Sequence, residues 1–587
     1  MKKIVVTHNK ENLYELVNKF SFSIPPFQRF YAWTPELVRG LFEDVMEGIV
    51  NRKPIFLGLV FLKGKEHAQR FEIIDGQQRI VTFLVLLRAL TAKLSKADAA
   101  RLSEWLKTQT FSASKLDLNV AHANKFFKDY ILNGEDSALR DPALDKRKAY
   151  ARSLRKCYEI MLELVRTEIK DQKQARKVFL YLKEHIEVIY IVTSDDLQAF
   201  EIFESINAKK LELNIADLTK NLVLRRSKGV SQEQYDKTLV VWEEFVDVFY
   251  SAPKELDPLG PHEIPKFFRA WWASKYGSDK ARGNRFYLGF KKELSQKKDP
   301  IDAAKEIFAN AKIYRSLMLP SMEDYSGELS LEIRTSLRNL RRLGLRTAHP
   351  LLLKSKMLLT YSAKDFLELC QVVEHLSFVK LVLFGERPPD VEKMYSSLLQ
   401  KVDKKTGWGI NPILKAELAK YKEAFQTEII GKNDFSNREG GYILSKVLQS
   451  KLHSKMLSSL EAASDNVSKS VEHIMPEDYT LWVTDIQGVI SKLPRRSGYE
   501  AILSAQDPVG TYHSGFCQKI GNLSLLLNTQ NSELGNAAFK DKVVVYKKDE
   551  AGNPLFDGII NMTEWTAIDI DSRSKKIAED FEKIIFG

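Results

Sequence analysis

The chain has 587 residues, of which 28% are charged and 44% hydrophobic, and a formal net charge of +12. One hydrophobic core does not organise that length, so two or three domains are expected. No run of eighteen apolar residues exists to span a membrane, and the positive balance permits an anionic partner such as DNA without requiring one.

In chain order, the opening MKKIVVTHNKENLYELV reads as a first strand and helix. Two lysines are not followed by the long apolar stretch of a signal peptide. Residues 22–33, FSIPPFQRFYAW, are aromatic, proline-bearing and irregular. Thr34 as N-cap, Pro35 at the first helical position and Glu36 then open a helix. Its Leu37, Leu41, Val45 and Ile49 recur every four residues and form one apolar face. IFLGLVFLK (55–63) has the composition of a fully buried strand, and RFEIID (70–75) of a second. The following QQRIVTFLVLLRALTAKL is a helix apolar nearly all round, hence buried. Helical patterns dominate from about 100 to 425, although KVFLYLKEHIEVIYIVT (177–193) ends as a strand expected to rejoin the N-terminal sheet. Proline- and glycine-rich connections fall at 251–265 and 385–390. The last shift in composition, GKNDFSNREGGY (431–442), marks a final domain boundary. Cys157, Cys370 and Cys517 stand too far apart for a disulfide framework or a Cys-x-x-Cys zinc site, which suits a reducing cytoplasm.

The chemistry-bearing residues begin at IIDGQQRI (73–80), a strand, tight turn and helix start. Gly76 permits positive φ or close backbone approach. Gln77, Gln78 and Arg79 fall in a first helical turn, where free N–H groups and the helix dipole favour an anion and an arginine can fork onto a phosphate. Asp75 can hold a metal or orient a water. The residues alone favour a plainer alternative, a polar corner whose acid caps a helix. Further on, FESINAKKLELNIADLTKNLVL (203–224) reads as a helix end, a polar turn and a new helix capped by Asn214. There Asp217 and Lys220 share a face and can simply pair.

IPPFQRFYAW, DGQQR and the 203–224 stretch, in that order, resemble the ParB/sulfiredoxin-like N-terminal domain of GmrSD-type restriction enzymes. The resemblance implies that Gln28, Arg29, Asp75, Gly76, Gln77, Gln78, Arg79, Asn207 and Lys220 line a site that binds and hydrolyses a nucleoside triphosphate of the ATP/GTP class. Glu204 and Asp217 match the third motif. Phe27 stands where a tyrosine is frequent, and Lys209 and Lys210 replace the usual glycine of the turn.

A second constellation joins VEHIMPED (471–478) to KIGNLSLLLNTQNSELGNAAFKDK (519–542). Strand, loop, strand and helix make a ββα unit, with a polar turn NTQNSELGN before the helix. Phosphodiester cleavage needs a base for water and stabilisation of the charged transition state, often by a metal. His473 is the candidate base. Glu472 and Asn531 would be oxygen ligands for Mg²⁺ or another divalent cation, and Asn522 would tie the loop on the carbonyl side of His473. Lys540 or Lys542 would neutralise phosphate. Taken alone, His473 reads more simply as a strand-end histidine satisfied by a neighbour. The acid-His-Ile-x-Pro start, the Gly-Asn-Leu strand and an asparagine nine residues on resemble the HNH, or His-Me finger, nuclease of the same enzymes. That resemblance implies catalytic roles for His473, Asn522, Asn531 and Lys540 and metal binding by Glu472 and Asn531. Glutamate replaces the aspartate of some relatives, and no Cys-x-x-Cys pair offers a structural zinc site.

The expected fold class is therefore α+β and mostly helical. It comprises a ParB/sulfiredoxin-like domain over 1–230, a helical spacer over 231–425 and an HNH ββα-metal nuclease domain over 426–587. The resemblance implies an endonuclease that cuts double-stranded modified DNA, with hydroxymethylated or glucosylated cytosine, under nucleoside triphosphate control, in defence against phage. Opposite-strand nicks would suit a homodimer. Alternatives are a phosphorothioate-sensing NTPase and nickase, and a nucleotide-responsive DNA-binding regulator with an inactive nuclease domain. Basic clusters at 225–229, 338–346 and 493–498 can track phosphates or simply face water. Trp482 suits either a flipped base or a core, and His513 has no place in the pattern.

Overall fold

A computed structural model of the protein describes residues 7–25, 31, 33–65, 68–107, 114–118, 121–134, 148–194, 215–251, 258–358, 362–402, 408–452, 469–494, 499–548 and 553–587. It is a mostly helical α+β structure that divides into two compact units. The first comprises Met1–Trp272 with Asp279–Arg315, and the second Ala273–Ser278 with Ser316–Gly587. The division falls inside the stretch read as a spacer: 231–315 lies almost wholly in the first unit and 316–425 in the second.

In the first unit six strands form one mixed sheet, ordered β1-β6-β3-β4-β2-β5. The strands are β1 (Thr7–Asn12), β2 (Ser21–Ser23), β3 (Ile55–Lys63), β4 (Arg70–Asp75), β5 (Leu116–Asp117) and β6 (Ile186–Thr193). As 177–193 predicts, β6 returns to the sheet, antiparallel to β1 and parallel to β3. β3 is not buried throughout. It pairs with β6 along its length but with β4 only from Phe61 to Lys63. Val60 and Leu62 are therefore buried, while Phe56 and Leu59 stay exposed beside a register shift.

The helix Pro35–Asn51 buries Val38, Leu41, Phe42, Val45 and Ile49, close to the predicted face, although Leu37 is exposed. The helix Gln77–Leu90 is buried all round apart from its two arginines, as its composition predicts. Gly76 caps it at φ 103°, and a Cβ there would stand 3.1 Å from Val60 Cγ2. Conformation and close approach both demand glycine.

In the second unit β7 (Lys469–His473) and β8 (Leu523–Leu527) pair antiparallel, with Glu472 opposite Ser524 and His473 opposite Leu523. Residues 528–534, read as a polar turn, form a short helix ended by Gly535 at φ 46°. The helix Phe539–Lys547 follows. One face of the pair packs on the helix Asn437–Lys451, where Gly440 and Gly441 let Leu523 and Val471 approach. The other face enters a core that contains Leu526, Phe539, Val543, Tyr546, Phe556 and Trp565. The helix Ala567–Phe586 opens on a Thr566–Asp569 capping box and packs on Ile520–Asn522.

Candidate active site

Strand parity shapes the C-terminal site. Successive side chains of a strand point to opposite faces, so Glu472 and His473 diverge. Ser470 and Glu472 share one face, and Val471 and His473 the other. Glu472 is 2% exposed. Its Oε1 accepts from Lys542 Nζ at 2.8 Å and from the Tyr546 hydroxyl at 2.7 Å. Lys542, itself fully buried, also donates to the His473 carbonyl at 2.7 Å. Burial lowers the Lys542 pKa while Glu472 opposes the shift. Burial, then Glu472, holds the Tyr546 hydroxyl well above its ordinary range. The pair is a closed internal network.

Two expectations are corrected here. Glu472 does not face the imidazole with a carboxylate free for a metal, because an ammonium and a phenol occupy it. Lys542 is not available to a phosphate, because it lies in the core. Lys540, by contrast, is exposed. Asn531, half-buried, donates from Nδ2 to Ser470 Oγ at 2.7 Å and to the Val471 carbonyl at 3.0 Å. It therefore stands with Ser470 and the β7 backbone rather than with His473. Among the described residues, no group of three or more His, Cys, Asp and Glu side chains is placed to hold a metal ion. Glu472 Oε1 is taken by Lys542 and Tyr546, and Asn531 turns its Nδ2 to β7, so neither of these atoms is offered to one.

His473 is 8% exposed at the end of β7. Its Nε2 lies 3.0 Å from Gln518 Oε1 and 3.5 Å from Glu477 Oε1. Gln518 Nε2 donates to the same Glu477 oxygen at 2.9 Å. The chain after His473 is fixed by Asn522, wholly buried and fully hydrogen-bonded. Its Oδ1 accepts from Met475 N at 2.8 Å and Trp565 Nε1 at 2.9 Å. Its Nδ2 donates to the Met475 and Cys517 carbonyls, each at 2.9 Å. Asn522 thus ties the loop, as the sequence suggests, and does not itself reach solvent. Arg573, from the helix Ala567–Phe586, donates to the carbonyls of Gly521 and Leu523 at 2.6 Å and of Leu555 at 3.0 Å. Burial lowers its pKa to about 10.

Glu477 lies within the VEHIMPED stretch, four residues after His473, so its spacing was a usable signal. Gln518, Tyr546 and Arg573 carry none. They reach the site through tertiary packing.

In the first unit the DGQQR corner is a strand, turn and helix start, as read. Arg79, however, turns back onto β3. It donates to the carbonyls of Leu57 at 2.5 Å and Leu59 at 2.7 Å, and to Asp75 Oδ2 at 3.2 Å. Burial lowers its pKa and Asp75 opposes that. The phosphate fork expected of Arg79 is not presented in this geometry, because the Leu57 and Leu59 carbonyls and a carboxylate four residues back satisfy it. Gln77 and Gln78 are buried. Asp217 and Lys220 are buried on the helix Ile215–Val230, so they do not form the surface pair that the sequence allows. Leu224, one turn beyond Lys220, packs on Ile74 of β4. Burial brings the Lys220 pKa down to about 8, against the influence of Asp217 and Glu243. Gln28, Arg29, Glu204, Asn207 and Asn214 lie outside the described residues.

Trp482 is a core residue that donates to the Ala537 carbonyl at 2.9 Å. His513 donates to the Pro476 carbonyl at 2.8 Å and lies against the Tyr479 ring at a tilt of 32°. Arg342 is exposed, whereas Arg341 donates to the Met318 carbonyl at 3.3 Å. Arg226 is bound to carbonyls at the end of a neighbouring helix, and Arg495 and Arg496 lie outside the described residues.

Comparison with known families gives two matches. Residues 11–224 match the GmrSD restriction endonuclease, N-terminal domain, and residues 419–580 match the GmrSD restriction endonucleases, C-terminal domain. No curated protein matches the chain.

Proposed function

The chain belongs to the GmrSD restriction endonuclease family, and on that premise we propose a DNA endonuclease whose general base is His473. The supporting observation is the way the ring is held. Gln518 contacts Nε2, Lys542 holds the residue's own carbonyl, and Asn522 fixes the next turn of chain. A base must be kept within reach of the proton it removes, and two segments, 518–522 and the helix Phe539–Lys547, converge to do so. The imidazole takes a proton from water as the water attacks phosphorus, and exposed Lys540 lies on the following helix to meet phosphate charge.

The proposed substrate is double-stranded DNA with modified cytosine, hydroxymethylated or glucosylated, and the role is restriction of phage that carry it. Cutting is proposed to require a divalent cation, for which Glu472 is not offered as a ligand. Nucleoside triphosphate is proposed to bind at the Asp75–Arg79 corner and control cutting.

The test compares glucosylated phage DNA with unmodified DNA, with and without Mg²⁺ and triphosphate, for the wild type and His473→Ala. Cleavage of modified DNA by the wild type, reduced about 100-fold or more in the variant, is expected of a lost base. A second reading, a nucleotide-responsive regulator with an inactive nuclease unit, is favoured by the closed Glu472–Lys542–Tyr546 network. Tight DNA binding without cutting under every condition would select it.

A further inference from the structure

The contacts around His473 go beyond holding a ring, and they assign a direction to each hydrogen bond. Glu477 is a carboxylate and only accepts, so the Gln518 group beside it is the amide nitrogen. That orientation leaves Gln518 Oε1, also an acceptor, facing His473 Nε2 at 3.0 Å. The ring nitrogen must then carry the proton. In a neutral imidazole the other nitrogen, Nδ1, keeps the lone pair. Gln518 is itself anchored from behind. Phe435 N–H donates to its carbonyl at 3.2 Å, and Asp434 bridges to it in β fashion. The backbone from which the amide projects is therefore held, and Glu477 holds the amide itself.

We propose that Glu477 and Gln518 are positioning residues that select the Nε2-protonated tautomer of His473 and so place the basic nitrogen at Nδ1. The inference rests on His473 being the base. Glu477 is largely exposed and sets the polarity of the relay, while Gln518 transmits it. Neither residue touches the reacting atoms.

The experiment uses the full-length chain labelled with ¹⁵N-histidine, with His473 assigned by comparison with the spectrum of His473→Asn. In the wild type, the uncharged ring of His473 is expected as a single tautomer protonated at Nε2. In Gln518→Leu the resonances move to averaged values of a tautomer mixture, and cutting of modified DNA falls by about tenfold or more. Glu477→Gln lets the Gln518 amide take either orientation and gives an intermediate mixture with a smaller loss. Glu477→Asp keeps a pure acceptor and restores the wild-type tautomer. A wild-type ring protonated at Nδ1, or spectra unchanged in Gln518→Leu, overturns the proposal. Absence of cutting by the wild type overturns the functional premise instead, and the spectra tell the two failures apart.

Discussion

Removing either member of the Glu472–Lys542 pair leaves an uncompensated charge in a dry interior. Glu472→Ala and Lys542→Met should each lower stability by about 3–5 kcal/mol, whereas Glu472→Leu combined with Lys542→Met recovers most of the loss. Urea denaturation followed by near-UV circular dichroism measures both. Glu472→Gln retains an acceptor for Lys542 and Tyr546. It should shift the Mg²⁺ concentration for half-maximal cutting by less than about threefold, whereas losing a true ligand would shift it by on the order of tenfold or more. Strand parity places Glu472 and His473 on opposite faces, and the sequence carried that information once VEH was read as a strand. The acid's neighbours did not show there. Lys542 and Tyr546 lie about seventy residues away, and nothing in their spacing marks them as buried partners.

Lys220 carries a pH signature. Its folded pKa, about 8, lies below the 10.5 of an unfolded chain. Between those values the unfolded state binds more protons, so stability rises with pH through that window. The full relief is about 3 kcal/mol, and the burial cost is fully present below about pH 8. Lys220→Met should remove this slope and stabilise the first unit at neutral pH. The difference between the two proteins' denaturation midpoints from pH 7.5 to 10 tests it, because other titrations cancel. If Lys220 serves the triphosphate, the same variant loses phosphate release while gaining stability.

At the scale of elements, Ile520–Asn522, which leads into β8, packs closely on the helix Ala567–Phe586. A Cβ on Gly521 would collide with the Ile570 carbonyl and Ser574 Oγ. Gly521→Ala is expected to cost about 3 kcal/mol and to reduce cutting along with folding, which thermal unfolding of the variant would show. Elements with a strong local signature were legible beforehand. The start of the helix Pro35–Asn51 followed from proline at its first position, although Thr34 makes no side-chain cap there; β4 and the buried helix after it followed from composition, and the return of β6 from its apolar β-branched run. β3 was over-read because composition reports apolarity, while exposure depends on how many neighbours a strand acquires. The short helix Asn528–Leu534 was missed because Asn, Thr, Gln and Ser favour turns when judged locally, and packing between β7 and β8 overrides that preference.

Across the whole molecule, the family matches occupy 11–224 and 419–580, and each falls within one compact unit. Asp75→Ala is expected to abolish triphosphate hydrolysis without altering the melting of the second unit, a separation that scanning calorimetry with a phosphate-release assay detects. Arg573 gives the arrangement another consequence. Its guanidinium, 50 and 52 residues further along the chain than the two carbonyls it meets, holds the backbone that leads into β8. A polypeptide that ends ahead of residue 567 lacks that clasp, and the carbonyls of Gly521 and Leu523 lose the guanidinium that holds them. Limited proteolysis that removes the last helix is therefore expected to loosen the second unit around 521–523, a change that hydrogen exchange of those amides would register.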